Sequence, residues 1–488
     1  MGATRGKTLK GKLNIIDDHT SKVPALNVVS AEENHTSQEF FGRAAVITLG
    51  CAKNQVDSEV MLGVLRNNGF DIVSEVEEAD LAVINTCGFL ESAVTESIDC
   101  ILEVGELKKE GRLRKLIVAG CAVERYREEL QKALPEVDEF ITTNDLMQIG
   151  DVATDKIQNL LKEAGRPYFL YDDKTPRQLS GVNYSAYVKI AEGCNRPCTF
   201  CIIPKIRGAM RSRSIESVVQ EVNMLAEQGV KEVNLLAQDL TSYGRDRKGE
   251  SLSMLLEQLD ARGGVNWIRL LYAYPIGIDQ QLLEIISSAK HICEYLDLPL
   301  QHVSEQLLKN MKRPLGRYAP RAITEYIRTI APAIHLRTTF IVGFPGESET
   351  DIDELEKFVL EGHFGSVGVF TYSAEEGTPA ALMPGQIPEQ EKQQRRERIM
   401  LAQQKVNEKR LAEMLGTDIE VLIEGVHPET DLLLSGRSRF QAPEVDGTII
   451  INDLAEEIEN VSAGTIGTVE ITDLAGYDLI GTLKYTDN

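Results

Sequence analysis

No stretch of this 488-residue chain approaches the roughly 18 to 20 consecutive apolar residues that a membrane-spanning helix needs. The opening stretch, Met1 to Lys12, carries basic residues with no apolar run behind them, so it does not read as a secretory signal. Cysteine is scarce as well. Eight in so long a chain are too dilute for a secreted disulfide framework, and six fall into two arrangements that suit metal better than cystine, which favours a reducing cytoplasm. Positive charge is also short, with 52 Lys and Arg against 75 Asp and Glu and a net charge of -23. A surface that grips a phosphate backbone is usually basic, so a large nucleic-acid interface is disfavoured and a basic protein partner suits the chain better. Plain solubility is the simpler explanation of the same charge, and a local basic groove could sit on an acidic body. What is present is a 42% hydrophobic composition, that of a well-cored globular protein with room for about three domains.

The most specific feature is Cys194-Asn-Arg-Pro-Cys198-Thr-Phe-Cys201, a C-x3-C-x2-C spacing in one short loop. Such a loop can point three thiolates at one cube of iron and sulfide and leave the fourth iron open, which makes a place for chemistry rather than a closed electron-transfer centre. Zinc is the competing reading. A structural zinc wants four ligands, and no nearby cysteine or histidine supplies the fourth.

Between about 43 and 165 an apolar strand, a cysteine and a helix follow one another three times. Ala44 to Gly50 runs into Cys51, Leu81 to Thr86 into Cys87, and Lys115 to Gly120 into Cys121. The spacing is that of a βα unit with its return strand, so each cysteine falls at a strand's carboxyl end, where parallel sheets gather their ligands. This predicts a second three-thiolate site; the plainer alternative is three small buried side chains filling strand ends. Cys100 and Cys293 lack this placement and read as core thiols.

From about 184 to 415 six apolar strands alternate with amphipathic stretches such as Ile215 to Gln228 and Thr350 to Glu361. The strands are expected at Tyr187, Glu232, Trp267, Tyr295, Thr338 and Val367, which suggests a partial (β/α)6 barrel with its chemistry at the strands' carboxyl face. Glu389 to Glu413 reads as a charged helix, most simply a solvated connector. After Gly416, short alternating runs with Gly-rich turns predict a small antiparallel β-barrel, acidic enough to repel RNA. The expected fold class is therefore α/β: an N-terminal parallel-sheet domain at 41–165, the barrel at 180–415 and the β-barrel at 416–486, behind a flexible extension at 1–40.

The order Leu49-Gly-Cys51-Ala-Lys-Asn, Asn85-Thr-Cys87-Gly-Phe, Ala119-Gly-Cys121, then Glu192-Gly-Cys194 through Cys201-Ile-Ile-Pro-Lys-Ile-Arg-Gly208, resembles the methylthiotransferase branch of the radical S-adenosylmethionine (radical SAM) enzymes. The last module resembles that family's TRAM domain. The resemblance implies two 4Fe-4S clusters and S-adenosyl-L-methionine. Cys194, Cys198 and Cys201 would hold the cluster that binds the cofactor at its open iron and passes one electron to the sulfonium, giving methionine and a 5'-deoxyadenosyl radical. Cys51, Cys87 and Cys121 would hold an auxiliary cluster whose open iron carries the sulfur to be transferred. Gly343 and Gly346, in Thr338-Thr-Phe-Ile-Val-Gly-Phe-Pro-Gly-Glu347, and Gln238 and Asp239, in Gln-Asp-Leu-Thr-Ser-Tyr243, resemble the segments beside the cofactor; a strand-to-helix turn and a polar turn are adequate readings of both.

Within the family, Cys51-Ala-Lys-Asn-Gln-Val-Asp-Ser-Glu59, Leu271-Tyr-Ala-Tyr-Pro275 and Ala442-Pro-Glu-Val-Asp446-Gly are similar to the branch that modifies an aspartate β-carbon in the small-subunit ribosomal protein S-twelve. The alternatives are the branch that modifies a tRNA adenosine, and an iron-sulfur scaffold without turnover. The resemblance implies a basic ribosomal protein as substrate, a flavodoxin- or ferredoxin-like electron donor, no membrane and a monomer, and leaves the sulfur donor open. Ala52 stands where that branch commonly has proline, and Arg196-Pro197 replaces its usual basic pair.

Overall fold

The computed structural model describes residues 25–26, 40–158, 160, 168–456, 458 and 460–486. The expected extension at 1–40 therefore lies almost wholly outside the described residues, apart from Phe40 and a two-residue strand, Ala25–Leu26, that pairs antiparallel with Arg177–Gln178.

The first sheet is all parallel. Its strands are β1 (Gly42–Thr48), β2 (Phe70–Ile72), β3 (Leu81–Thr86), β4 (Lys115–Gly120) and β5 (Glu139–Ile141), in the order β2-β1-β3-β4-β5. Every residue of β3 and β4 is buried, as expected of central parallel strands covered on both faces. Helices α1 (Ala52–Asn67), α2 (Glu91–Lys109) and α3 (Cys121–Ala133) follow β1, β3 and β4.

The second sheet is also all parallel and is not closed. It consists of β6 (Ser185–Lys189), β7 (Glu232–Leu236), β8 (Trp267–Leu270), β9 (Ile292–Asp297), β10 (His335–Val342) and β11 (Ser366–Thr371), in simple sequential order. Helices α4 (Ile215–Glu227), α5 (Leu252–Arg262), α6 (Gln280–Ser288), α7 (Pro320–Ile330) and α8 (Glu349–Leu360) return the chain between strands. Their starts are written locally: Ser214, Ser251, Asp279 and Ser348 each accept a backbone N–H of the first helical turn, and Ser348 with Asp351 closes a reciprocal capping box. The fourth strand begins at Ile292, earlier than the expected start at Tyr295, and stops before Pro299, which has no N–H for a ladder. This carries Cys293 into the strand interior, fully buried.

The charged helix α9 (Glu389–Ala412) is not a solvated connector. Lys392, Arg395, Ile399, Ala402, Gln403, Val406 and Asn407 are buried along one face, with Ile399 and Ala402 in the barrel core. Arg395 binds Glu347 at 2.7 Å, and Arg398 spans Glu349, Asp353 and Glu356 on α8. The long aliphatic stems of Lys and Arg cover apolar surface while their heads find carboxylates, so a charge-rich helix can still pack.

The last module is a closed five-stranded barrel of β12 (Asp418–His427), β13 (Thr430–Ser438), β14 (Ile449–Leu454), β15 (Ile466–Ala475) and β16 (Asp478–Thr486), in the order β12-β13-β14-β16-β15. It is antiparallel except for the β14–β16 pair, which is parallel. It docks against the amino ends of β6 to β10 through buried polar groups. Arg437 binds Glu232 at 2.6 Å, Arg269 binds the same carboxylate at 3.0 Å, Trp267 donates to Glu420 at 2.7 Å, and the Tyr295 hydroxyl donates to Asp446 at 2.7 Å. The acidic tally of this module therefore overstates its free surface: Glu420 and Asp446 are spent on the dock and Glu424 on Arg437 of the same module, whereas Glu429, Asp431, Glu444, Asp453, Glu456 and Asp473 are exposed.

Candidate active site

The three N-terminal cysteines stand at the carboxyl ends of three neighbouring strands. Register pairs Thr48 with Asn85 and Thr86 with Gly120, so Cys51, Cys87 and Cys121 leave β1, β3 and β4 side by side, and adjacent strands lie about 4.8 Å apart. Gly50 holds φ at +96°, and a Cβ there would come within 2.8 Å of Cys87 Cβ. That close approach is what lets Cys51 turn toward its neighbours. We expect Gly50→Ala to carry both the left-handed backbone penalty, about 1 kcal/mol, and a collision with Cys87. The variant should fold but take up markedly less iron on reconstitution; iron uptake equal to that of the parent would contradict this.

The second trio occupies the irregular loop after the short strand Ala191–Glu192. Cys194 N–H donates to Gly208 O at 3.0 Å and Cys201 N–H to Cys198 O at 3.3 Å, while Thr199 ties the loop to Met311 O and Asn310 O. Gly193 has φ of +82°, and any Cβ would strike Ala209 O, so the loop entry admits glycine alone. The Arg196 backbone N–H donates to Cys194 Sγ at 3.4 Å. Arg196 and Arg313 both stack on Tyr274, at 4.0 and 4.2 Å from the ring centroid.

Burial pushes the thiol of Cys87 up and that of Cys121 to about 12, the latter against the pull of Arg207. It does the same in the loop, raising Cys194 and taking Cys201 to about 12. The core thiol of Cys293 is raised by burial in the same way, so these shifts report burial and do not by themselves mark a ligand. Among the described residues no three His, Cys, Asp or Glu side chains close on a single metal ion. Each trio offers three free thiols and, among the described residues, no fourth ligand, a donor set that fits an iron-sulfur core with one open corner.

A buried ion network absent from the sequence reading joins the two trios. Arg207 donates to Cys121 Sγ at 3.0 Å, to Asn54 Oδ1 and Asp57 Oδ2 at 2.7 Å each, and reaches Glu192 at 3.5 Å. Lys189, at the end of β6, binds both Asp57 and Glu192. On the far side, Glu375 beyond β11 accepts from Arg125 of α3 at 3.0 Å and from the Glu91 N–H of α2. The N-terminal domain thus spans from the first barrel strand to the last. The hint available in the sequence was charge inside strand-like or motif-flanking runs, Lys189, Glu192 and Arg207, where an isolated buried charge is too costly to be unpaired.

The residues expected beside the cofactor are placed as follows. Gln238 follows β7, its amide donating to Glu192 at 2.5 Å and its Oε1 buried without a partner among the described residues. Asp239 already accepts from Arg196 at 2.6 Å and from Thr241 and Ser242. Tyr243 is a core residue whose hydroxyl donates to Arg213 O. Gly343 has a packing reason of its own, because the Lys392 side chain fills the space where a Cβ would stand. Gly346, at φ +82°, faces open space.

Three family models match in the same order as the three sheets. They are Uncharacterized protein family UPF0004 over residues 43–142, the Radical SAM superfamily over 188–359 and the TRAM domain over 415–483. Over 442 residues the chain is 47% identical to a protein of Syntrophotalea carbinolica named ribosomal protein uS12 methylthiotransferase RimO, covering 90% of this chain and 96% of that one. The Geobacter sulfurreducens protein of the same name is 46% identical, over 90% of this chain and 98% of its own. The chain belongs to this methylthiotransferase family. Among solved structures, the radical S-adenosylmethionine methyltransferase TsrM of Kitasatospora setae shares the fold at a TM-score of 0.51 and 14% identity, over 70% of this chain and 77% of that one.

This methylthiotransferase is accordingly a radical SAM enzyme, and superfamily membership implies S-adenosylmethionine and a 4Fe-4S cluster. Among the described residues no helix is long and apolar enough to cross a membrane.

Proposed function

We propose that the chain transfers a methylthio group to the β-carbon of an aspartate in the small-subunit ribosomal protein S-twelve, with Cys194, Cys198 and Cys201 holding one 4Fe-4S cluster and Cys51, Cys87 and Cys121 a second. When bound, the first with S-adenosylmethionine supplies a 5'-deoxyadenosyl radical and the second supplies the sulfur. The observation that carries this reading is the pair of thiol trios at the carboxyl ends of two parallel sheets, coupled through Arg207, Glu192 and Asp57.

The side chains have separable tasks. Arg207 donates to Cys121 Sγ and fixes its direction, while Asp57 and Glu192 neutralise the guanidinium so that the junction carries no unpaired charge. Burial of the network keeps its ion pairs out of water, which holds Arg207 and Cys121 in a fixed arrangement. Gln238 Oε1 and the open backbone at Gly346 suit the polar and adenosyl parts of the cofactor, with Asp239 acting through Arg196. In this reading the segments at 41–165, 180–415 and 416–486 donate sulfur, generate the radical and dock the substrate, in that order. A net charge of -23 with exposed carboxylates on the last module favours a basic ribosomal protein. Electrons would come from a flavodoxin- or ferredoxin-like protein in the cytoplasm, and the enzyme would work as a monomer.

Mass spectrometry of ribosomal protein and of tRNA from a deletion strain tests the substrate. The methylthio mass is expected to vanish from the protein and remain on tRNA. The opposite pattern would overturn the assignment.

A further inference from the structure

Lys53 is an unusual lysine. It lies in the first turn of α1, two residues after Cys51, where the helix dipole disfavours a cation and where no acidic residue offsets it. The N-cap, Cys51, makes no side-chain capping bond. Lys53 is only half-exposed, and in a protein with 75 acidic residues it has no carboxylate partner among the described residues. Among the described residues its one contact of note is the face of Tyr272, with Nζ 3.3 Å from the ring centroid. A cation–π contact of this kind is worth about 0.5–2 kcal/mol and leaves most of the ammonium's donors unspent.

Tyr272 is unusual in turn. It extends β8 at the carboxyl face of the barrel and holds φ at +67°, a conformation that costs a non-glycine residue about 1–3 kcal/mol. The strain is held in place from both sides, by the Tyr272 N–H donating to Asp297 at 3.1 Å and by its carbonyl accepting from Leu240 N–H at 3.1 Å. Two residues further on, Tyr274 carries the guanidinium groups of Arg196 and Arg313 beside the Cys194–Cys201 loop. Lys53 and Tyr272 thus meet where the two sheets' carboxyl ends face each other, on the Cys51 side.

We propose that Lys53, set by the ring of Tyr272, binds the side-chain carboxylate of the target aspartate and so holds its β-carbon toward the Cys51 trio. This rests on the substrate reading above and deepens it. An aspartate β-carbon sits one bond from its carboxylate, so a cation that anchors the carboxylate also fixes the carbon. A charge-assisted hydrogen bond in a half-buried site separates aspartate from the isosteric asparagine, which carries no charge. Lys53 is then an anchoring and specificity residue, and a neutral substrate would gain nothing from it.

The test is binding, measured without reductant so that no turnover occurs. A fluorescent peptide carrying the target aspartate, and its Asp→Asn counterpart, are titrated by anisotropy against the full-length reconstituted protein, its Lys53→Met and its Lys53→Arg variants. The parent should prefer the aspartate peptide by about tenfold, one charge-assisted contact. Lys53→Met should bind both peptides at the asparagine level, and Lys53→Arg should keep part of the preference. Iron per chain and S-adenosylmethionine affinity should match the parent in both variants. An undiminished aspartate preference in Lys53→Met overturns the proposal. Loss of S-adenosylmethionine affinity also overturns it, because the lysine would then serve the cofactor's carboxylate. Failure of the parent to bind either peptide would instead count against the substrate reading, and the proposal would fall with it.

Discussion

Cys198→Ala is expected to reduce 5'-deoxyadenosine formation to background while leaving the fold intact. The thiol stands mid-loop, half-buried, with Arg313 Nη1 3.7 Å from its sulfur, and it makes no packing contact that the barrel core depends on. The loop keeps its course through backbone bonds, Cys194 N–H to Gly208 O and Thr199 N–H to Met311 O, so the melting temperature should stay within a few degrees of the parent. With two thiols in place of three the loop cannot hold an open-cornered cluster, and the electron needed to cleave the sulfonium has no route. Chromatographic measurement of deoxyadenosine after incubation with dithionite and S-adenosylmethionine checks this. Cleavage above a tenth of the parent rate would place the radical chemistry elsewhere.

The second large effect concerns Glu232, fully buried at the start of β7 between Arg437 and Arg269. Burial by itself would raise this carboxyl, but Arg437 and then Arg269 outweigh it and hold it at about 2, against a usual 4.5. A carboxyl depressed on folding stabilises the native state above its unfolded value and ceases to do so as pH falls through its folded value. The contribution, about 3 kcal/mol, is therefore present above pH 4.5 and lost between there and pH 2. Glu232→Ala should be worse at neutral pH, costing about 3–5 kcal/mol, because two buried guanidinium groups lose their shared counterion. Urea unfolding followed at pH 7 and across pH 5 to 2.5 reads both: the parent loses stability with acid, and the variant starts lower and declines less steeply. A variant as stable as the parent at pH 7 would show that the last barrel is held by its apolar contacts alone.

The fold class was legible because parallel strands buried on both faces are written as unbroken apolar runs. Leu81 to Thr86 and Lys115 to Gly120 could be read off to the residue, each ending at its cysteine. What escaped the sequence was long-range pairing of charge. Arg207 meets Asp57 and Asn54 some 150 positions away, and no periodicity announces such a partner. The same blindness made α9 look like a solvated connector, since Arg395 and Lys392 read as surface until Glu347 and the Tyr372 carbonyl are seen to receive them. It also made the acidic last module look uniformly exposed, though Glu420 and Asp446 accept from Trp267 and Tyr295. Gly343, expected beside the cofactor, has in addition a packing need that the sequence did not show, because the Lys392 side chain fills the space of a Cβ.

On the proposed function, two separate thiol trios each hold an iron-sulfur cluster. Anaerobic reconstitution followed by iron analysis and electron paramagnetic resonance on the parent, on Cys51→Ala/Cys87→Ala/Cys121→Ala and on Cys194→Ala/Cys198→Ala/Cys201→Ala tests it most directly. About eight irons are expected in the parent and about four in each triple variant, with distinct reduced-state signals in the two. About four irons in the parent, or an N-terminal triple variant that keeps the parent's full iron content, would contradict the account.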